Sequence, residues 1–485
     1  MTSARYKFAR LDRSGPFFGL RNGQAAIAIA GIAAVTVLLQ LTTSALALTL
    51  AVATAIATFL LTFAANGGRG LDEWAPVVVS WFADRATGGG VWKARAAHDG
   101  VVRSEGDLDL PRELWGLQLH RSEDGPRAFG VIEDRTTGSW LAVLRAEGAS
   151  WMTDTEEDQV AKARQWGDLL AGIEARALPV SAVQWIEETY PDLGEGVAGD
   201  YAARRTIDPG SPEAASMLEL IASSAASSPI HSVWVVVQLD ARKAATHIRR
   251  RGGGARGAAS VLEEQVRWLS SRLREMGVDV LGLVAPQQLA DLFKNWFDPR
   301  GRAERVALGG GIRSWGPVVT DRRPWSYYSS DSAFHRTWWI SEWPLREVGP
   351  AFLAELIVDA PGYRRLSVTY RARDTGKAMR QIGGEMLKQD TNLQSRSRFG
   401  WGARARDRRI REELQRRDEQ LAGGARELAY AGYVTLSAET VEELDLQSEA
   451  LAGAIRRAGC QATCLYGEQE LAFLATLPLC RGLQK

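Results

Sequence analysis

The chain has 485 residues, of which 45% are apolar, and its 59 Lys and Arg nearly balance its 58 Asp and Glu. This balance excludes a nucleic-acid binder that works through a global positive field. The 17 tryptophans exclude a disordered chain, because rings of that size need a core or an interface. Residues 22–68 contain no charged side chain, which excludes a protein that is soluble along its whole length.

The charge-free segment predicts two membrane-spanning helices. A single straight helix over residues 22–68 would be about 70 Å long, more than twice the thickness of a hydrocarbon core of roughly 30 Å. The apolar runs Gln24–Leu39 and Ala45–Ala65, separated by a turn with the polar residues Gln40, Thr42, Thr43 and Ser44, therefore predict a tight hairpin. A signal peptide is the alternative, but the segment is too long and contains two apolar runs.

Cations flank both ends of this hairpin. The tail before it, residues 1–21, carries one acid, Asp12, and five cations: Arg5, Lys7, Arg10, Arg13 and Arg21. Arg69 and Arg85 follow the hairpin, whereas its turn carries no cation. The positive-inside rule therefore predicts a multi-pass protein of the cytoplasmic membrane, with both chain ends in the cytoplasm.

Residues 69–110 are predicted to connect the hairpin to the cytoplasmic part. Within them, Leu71–Arg85 places Trp74, Val77 and Trp81 at helical spacing, which predicts an amphipathic helix. Two roles remain open for this helix. It is either a core helix of the first cytoplasmic region or a helix that lies at the membrane interface.

The cytoplasmic part is predicted to fold as two α+β regions, residues 111–330 and 331–485. In the first, strands are predicted at Leu114–Arg121, Arg127–Glu133, Ser139–Ala146, Val180–Glu187, Ser232–Asp240 and Val278–Val284, and helices at Asp154–Glu174, Pro212–Ala226, Ala259–Met276 and Gln287–Trp296. In the second, strands are predicted at His335–Trp343, Arg364–Arg373, Glu427–Ser437 and Gln461–Leu465, and helices at Pro350–Val358, Thr375–Gln389, Arg404–Leu421 and Glu439–Ala458. Such a series predicts antiparallel sheets in ferredoxin-like α+β domains.

No segment carries the apparatus of an enzyme. Residues 194–199 match the pattern GxGxxG, but a strand does not lead directly into them, so a plain loop is predicted. The Gly-rich residues 252–257 resemble a phosphate loop, yet Ala258 and Ala259 replace its Lys and hydroxyl residue. The acid pair Glu187 and Glu188 falls at a predicted strand end and needs no catalytic role. We therefore expect no catalytic residue, metal or cofactor.

Two Arg-rich segments are the candidate contact sites. Arg249, Arg250 and Arg251 precede the Gly-rich loop, which is interpreted as an exposed mobile connector, with contact to an acidic partner or phosphate as the alternative. The second segment carries nine arginines: Arg396, Arg398, Arg404, Arg406, Arg408, Arg409, Arg411, Arg416 and Arg417. It is interpreted as a solvated helix with i,i+4 ion pairs. Its alternatives are contact with nucleic-acid phosphates, anionic lipid or an acidic protein.

Several short strings of residues carry a family resemblance. They are Tyr6-Lys-Phe8, Gly15-Pro-Phe-Phe-Gly19, Gly70-Leu-Asp-Glu-Trp-Ala-Pro76, Ala333-Phe-His-Arg-Thr-Trp-Trp-Ile-Ser-Glu-Trp-Pro344, Leu465-Tyr-Gly-Glu-Gln469 and Leu477-Pro-Leu-Cys-Arg-Gly482. With the charge-free hairpin, they resemble actinobacterial membrane proteins of integrative conjugative elements. In that family, a hairpin similar to the PrgI-like subunit precedes a domain similar to the non-motor part of conjugative ATPases of the TraC/TrbE type.

This resemblance implies a non-enzymatic subunit of a type IV-like secretion apparatus that tethers a separate ATPase to the membrane. Its implied partners are the bilayer, that ATPase, other channel subunits, further copies of the chain and DNA. Two alternatives stay open. A type VII secretion component of the EccE kind also places a two-helix hairpin before a cytoplasmic α+β domain, and a membrane-tethered nucleic-acid-binding protein would use the arginines of residues 396–417.

Overall fold

The structure is a computed structural model that describes most of the chain. The described residues are 22–41, 45–63, 65–66, 69–94, 110–123, 127–147, 154–175, 179–191, 195–225, 229–299, 315–344, 346–372, 376, 379–380, 382–387, 411–412, 414–416, 418–419 and 428–483. They fall into two compact units. One contains the described residues within 22–90 and 372–429, and the other contains those within 91–371 and 430–483.

The first unit contains the predicted hairpin. Its helices and short strands are α1 (Asn22–Leu41), α2 (Ala45–Phe63), β1 (Ala65–Asn66), β2 (Arg69–Gly70) and α3 (Leu71–Thr87). Within the described residues, one helix is long and apolar enough to cross a membrane, with its apolar window at Gly23–Gln40, and a shorter apolar helix covers Leu48–Phe63. The predicted amphipathic helix at Leu71–Arg85 is confirmed.

Close packing joins α1 to α2. A Cβ atom at Gly31 would fall inside contact distance of the Thr58 side chain, whose Oγ1 donates a hydrogen bond to the Thr54 carbonyl at 2.8 Å. Only glycine therefore fits at this crossing. At the open end of the hairpin, Gln24 Nε2 donates to the Thr62 carbonyl at 3.0 Å.

The second unit is built on a large antiparallel sheet. Its strands are β3 (Val91–Lys93), β4 (Leu117–Arg121), β5 (Gly130–Asp134), β6 (Ser139–Glu147), β7 (Val180–Pro191), β8 (Pro229–Asp240), β9 (Asp279–Leu283), β10 (Val319–Asp321), β11 (Tyr328–Ser330), β12 (Ala333–Glu342), β13 (Tyr363–Ala372), β14 (Leu428–Ala438) and β15 (Gln461–Cys464). Among the described residues, these 13 strands form one sheet in the order β3-β10-β11-β12-β14-β13-β7-β8-β6-β5-β4. In addition, β15 pairs with β12 and β9 pairs with β6.

This topology confirms the predicted α+β class and the antiparallel meander β4-β5-β6. The two longest strands, β7 and β8, pair with each other in the middle of the sheet from Val180 to Pro191. Because β12, β13 and β14 join the same sheet as β7, strands from both sides of the predicted boundary at residues 330 and 331 pair in one sheet. The domain division itself stays a prediction.

Helices of this unit flank the sheet and end the chain. They are α4 (Glu156–Ala175), α5 (Glu195–Arg204), α6 (Pro212–Ala225), α7 (Ala241–Arg250), α8 (Gly254–Glu275), α9 (Pro286–Phe297), α10 (Val441–Arg457) and α11 (Gln469–Leu474). Two of them correct the sequence predictions. Helix α5 occupies most of the GxGxxG match, where a loop was predicted, and α7 was not predicted.

The predicted helix Pro350–Val358 is also corrected, because the structure has turns there and a short π-helix at Glu355–Asp359. The side chain of Arg364 explains the change. Its Nε donates to the Leu356 carbonyl at 3.2 Å, and its guanidinium also contacts the Ile357 carbonyl. These carbonyls therefore have a side-chain donor in place of the next turn of an α-helix. Of the predicted helices Thr375–Gln389 and Arg404–Leu421, only parts lie within the described residues.

A further close contact fixes α7 against α8. A Cβ atom at Gly257 would fall inside contact distance of the Ile248 carbonyl oxygen, which is backbone and cannot rotate away. We therefore expect Gly257→Ala to lower the free energy of unfolding of the full chain by about 1–3 kcal/mol. Chemical denaturation in detergent measures this change.

Gly167→Ala is the matched control for that experiment. Gly167 lies in α4, and a Cβ atom added there would meet no heavy atom within 4 Å, so alanine should raise helix stability by up to about 1 kcal/mol. Equal effects of the two alanines would contradict the close contact between α7 and α8.

Candidate functional site

The three predicted contact arginines 249–251 lie at the end of α7 and directly after it. Helix α7 begins at Asp240, whose Oδ1 accepts hydrogen bonds from the backbone N–H groups of Arg242 at 2.8 Å and Lys243 at 3.1 Å. This is a standard N-cap. Ala244 and Ile248 are buried, so these two residues define the face that packs on the protein.

The opposite face of α7 carries its cations. At 100° per residue, the centre of the buried face lies opposite Thr246, and four cationic side chains lie within about 60° of that point. We call them the basic α7 face: Arg242, Lys243, Arg249 and Arg250. All four are exposed, and the helix contains no acid. The exposed surface of α7 is therefore a compact field of positive charge.

Arg251 has a different environment from its two neighbours. It donates to the Ser260 carbonyl at 2.9 Å and forms an ion pair with Glu264, so it ties the end of α7 to α8. The side chains of Arg249 and Arg250 make no hydrogen bond or ion pair with any residue that the structure describes. The connector between α7 and α8 is therefore shorter than predicted, because Arg249 and Arg250 belong to α7.

The turn between α7 and α8 allows the start of α8 to lie close to the end of α7. Gly252, Gly253 and Gly254 adopt positive φ angles of 100°, 71° and 53°. Residues with a Cβ atom rarely adopt this conformation. The glycines therefore form the chain reversal, and the phosphate-loop resemblance reflects turn geometry.

The second arginine segment is described only in part. Arg411 and Arg416 lie in short helical pieces, and both are exposed. The other arginines of this segment lie outside the described residues: Arg396, Arg398, Arg404, Arg406, Arg408, Arg409 and Arg417. A role for this strip in contact with lipid, DNA or protein stays a prediction.

Sequence reasoning missed a buried polar centre around Glu188. The residue lies inside β7, not at a strand end, and its side chain is buried. Its Oε1 accepts hydrogen bonds from Trp296 Nε1 at 2.8 Å and from the Tyr363 hydroxyl. Its Oε2 accepts one from Trp234 Nε1 at 3.1 Å. One carboxylate therefore joins β7 to β8, α9 and β13.

Arg365 supplies positive charge to this centre. It is 0% exposed, and its guanidinium lies 5.0 Å from the ring centroids of both Trp296 and Phe473. Burial lowers the pKa of Arg365 below its usual value, while the charges of Tyr363 and Glu188 raise it. Loss of the nearby negative charge of Glu188 would be costly, because the buried cation would then be less compensated. The centre ties the middle of the sheet together.

A second buried acid lies near the end of the chain. Arg322 donates hydrogen bonds to Glu113 and, at 3.3 Å, to Glu470 of α11. Burial raises the pKa of Glu470 to about 9, and a hydrogen bond with Glu113 and its charge contribute to the rise. The folded protein therefore favours the protonated form of Glu470 up to a higher pH than the unfolded chain does.

This raised pKa predicts a pH dependence of stability. The stabilisation from protonated Glu470 is fully present below its ordinary pKa of 4.5 and is lost as the pH rises through about 9. Gln is a permanently neutral substitute that keeps a donor for Glu113. We expect Glu470→Gln to stabilise the chain by roughly 1–3 kcal/mol at pH 8 and by much less at pH 5.

Thermal unfolding of the full chain in detergent at these two pH values measures the effect. Glu449→Gln, an exposed change on α10, is the control. A gain from Glu470→Gln that is the same at pH 5 and pH 8 would contradict the shift.

The segment that contains the basic α7 face matches a known protein family. Residues 229–340 match the family model of EccE, the type VII ESX secretion system translocon. This range runs from β8 to β12 and includes Arg249–Arg251 and Trp296. No match to a curated protein was found.

The match corrects the family assignment made from sequence strings. The conjugative-element resemblance and the type IV role that it implied are wrong, because the region compared with the conjugative ATPase domain matches the EccE model. The six sequence strings that carried the resemblance matched only in composition and position, and none of them is a catalytic motif. A hairpin followed by an α+β region occurs in both kinds of protein, so these features could not separate them.

Proposed function

We propose that the chain is a membrane-anchored, EccE-like subunit of a type VII secretion translocon. The observation that carries this proposal is the EccE match over residues 229–340. The apolar N-terminal helices support it, since a translocon subunit has to sit in a membrane. The protein's other contacts would then be the remaining subunits of that membrane complex.

The hairpin would anchor the protein. Large apolar side chains of α1 and α2 are exposed on the outside of the helix pair: Ile29, Ile32, Val37, Leu39, Leu48, Leu50, Val52, Ile56, Phe59, Leu60, Leu61 and Phe63. Such a surface suits lipid and is unfavourable in water. We propose that both helices cross the cytoplasmic membrane, and the cations before α1 and after α2 support cytoplasmic chain ends.

The cytoplasmic α+β part would serve assembly, and we propose no catalytic role for it. The basic α7 face is the proposed docking surface for an acidic surface of another translocon subunit. Two features support this use. Its arginines 249 and 250 have no partner among the described residues, and they lie inside the segment that matches the translocon family. The ferredoxin-like character of the domains and self-association stay predictions.

Deletion of the gene in its native host tests the function. We expect export of the host's type VII substrates to the culture medium to stop. Full-length protein should restore export, whereas a chain without residues 22–63 should not, since it lacks the anchor. Normal export from the deletion strain would contradict the proposal.

A further inference from the structure

Helix α3 starts at the open end of the hairpin. The chain reverses between β1 and β2, in which Ala65 pairs with Gly70 and Asn66 pairs with Arg69. As a result, the first turn of α3 reaches the start of α1, where a Cβ atom at Gly23 would lie 2.7 Å from Asp72 Oδ2. The start of α1, the end of α2 and the start of α3 are therefore neighbours.

One face of α3 packs within this unit. Trp74 and Val77 are 9% and 6% exposed, and α3 contacts both α1 and α2. Trp81 lies on the same side, with the Arg85 guanidinium 5.3 Å from its ring centroid. These contacts fix the rotation of α3 about its own axis, so its other faces have defined directions.

A second apolar strip on α3 is largely exposed among the described residues, and its one ring contact there is the edge of Phe82 against Trp81, with the centroids 5.0 Å apart. Ala75, Val79, Phe82 and Ala86 fall within an arc of about 60° that points away from the packed face. Val79 is 67% exposed and Phe82 is 60% exposed. The remaining arc is polar and includes Ser80 and Asp84. Helix α3 thus carries two apolar faces. One of them packs against α1 and α2, and the other is exposed.

We propose that α3 lies in the membrane interface and buries Val79 and Phe82 among lipid acyl chains. This inference rests on the proposed membrane insertion of α1 and α2. Phe59 and Phe63, near the end of α2 that α3 contacts, are also 62% and 58% exposed. An apolar strip beside a polar arc is the arrangement of interfacial helices.

The charges of α3 indicate which lipids it needs. The helix carries three acids and one cation, Asp72, Glu73, Asp84 and Arg85. It therefore lacks the basic face by which many interfacial helices recognise anionic headgroups. Insertion of α3 should occur in a zwitterionic bilayer and should not weaken with added salt.

Site-specific labelling of the full chain in phosphatidylcholine nanodiscs tests the proposal. An environment-sensitive fluorophore is attached at Val79→Cys, Phe82→Cys, Ser80→Cys or Phe59→Cys, and the background is taken from the unsubstituted chain. Quenching by doxyl-labelled lipid reports contact with acyl chains, and quenching by iodide reports contact with water. Ser80 is the matched control because it is exposed on the polar arc of the same helix.

The expected result is strong quenching by doxyl lipid at positions 59, 79 and 82, and quenching by iodide at position 80. Iodide quenching at 79 and 82, or protection there from both quenchers, would overturn the interfacial placement even if position 59 contacts lipid. Iodide quenching at position 59 would instead overturn the membrane insertion on which the proposed function depends.

Discussion

Glu188→Ala is expected to lower the free energy of unfolding of the full chain by about 3–5 kcal/mol. The change removes the shared acceptor of two indole N–H groups and a tyrosine hydroxyl. It also leaves the fully buried Arg365 without the negative charge of this carboxylate. Denaturant unfolding in detergent, followed by tryptophan fluorescence, measures the loss.

A double-mutant cycle separates the charge interaction from packing. Arg365→Met removes the cation and keeps an unbranched chain between the Trp296 and Phe473 rings. We expect the variant with both changes to lose clearly less stability than the sum of the single losses. Single losses that add within about 0.5 kcal/mol would show that the two groups do not interact.

The charge reversal Arg249→Glu with Arg250→Glu is expected to reduce capture of the partner subunit from native membranes by about 10- to 100-fold. The reversal places negative charge opposite an acidic surface. Stability should fall only slightly, because neither side chain has a partner among the residues that the structure describes and the remaining cost is that of acids in the last turn of a helix. Quantitative mass spectrometry of the purified complex measures capture.

Arg267→Glu with Arg272→Glu is the control for that reversal. It changes the net charge equally on exposed positions of α8, where each arginine pairs with a glutamate of its own helix. We expect full capture by this variant. Equal capture by both variants would exclude the basic α7 face as the docking surface, and equal loss would indicate a general effect of net charge.

The hydrophobic pattern of the sequence predicted the elements that have a long or regular run of apolar residues. The charge-free helices, the amphipathic helix at Leu71–Arg85 and the apolar strand before Asp240 all appear in the structure. Helix α7 was missed because only Ala244 and Ile248 are buried in a short, Arg-rich segment. Asp240, a favourable N-cap residue at the end of a strand, was the sequence feature that could have indicated this helix.

The polar centre could not be predicted from sequence. Glu188 is paired with Trp296 and Tyr363, which are 108 and 175 positions away along the chain. Nothing in the local pattern around Glu188 indicates such partners, so it was placed at a strand end. The exposure of Arg249 and Arg250 was predicted, but their common helical face depended on the missed helix.

Purification of the tagged full chain from native membranes, with mass spectrometry of the proteins that accompany it, tests the proposed translocon role most directly. We expect other subunits of a type VII translocon to be enriched over an untagged control. We also expect Arg249→Glu with Arg250→Glu to lower their recovery while the chain stays in the membrane. Recovery of the intact, membrane-bound chain without any type VII subunit would show that the protein is not a translocon subunit.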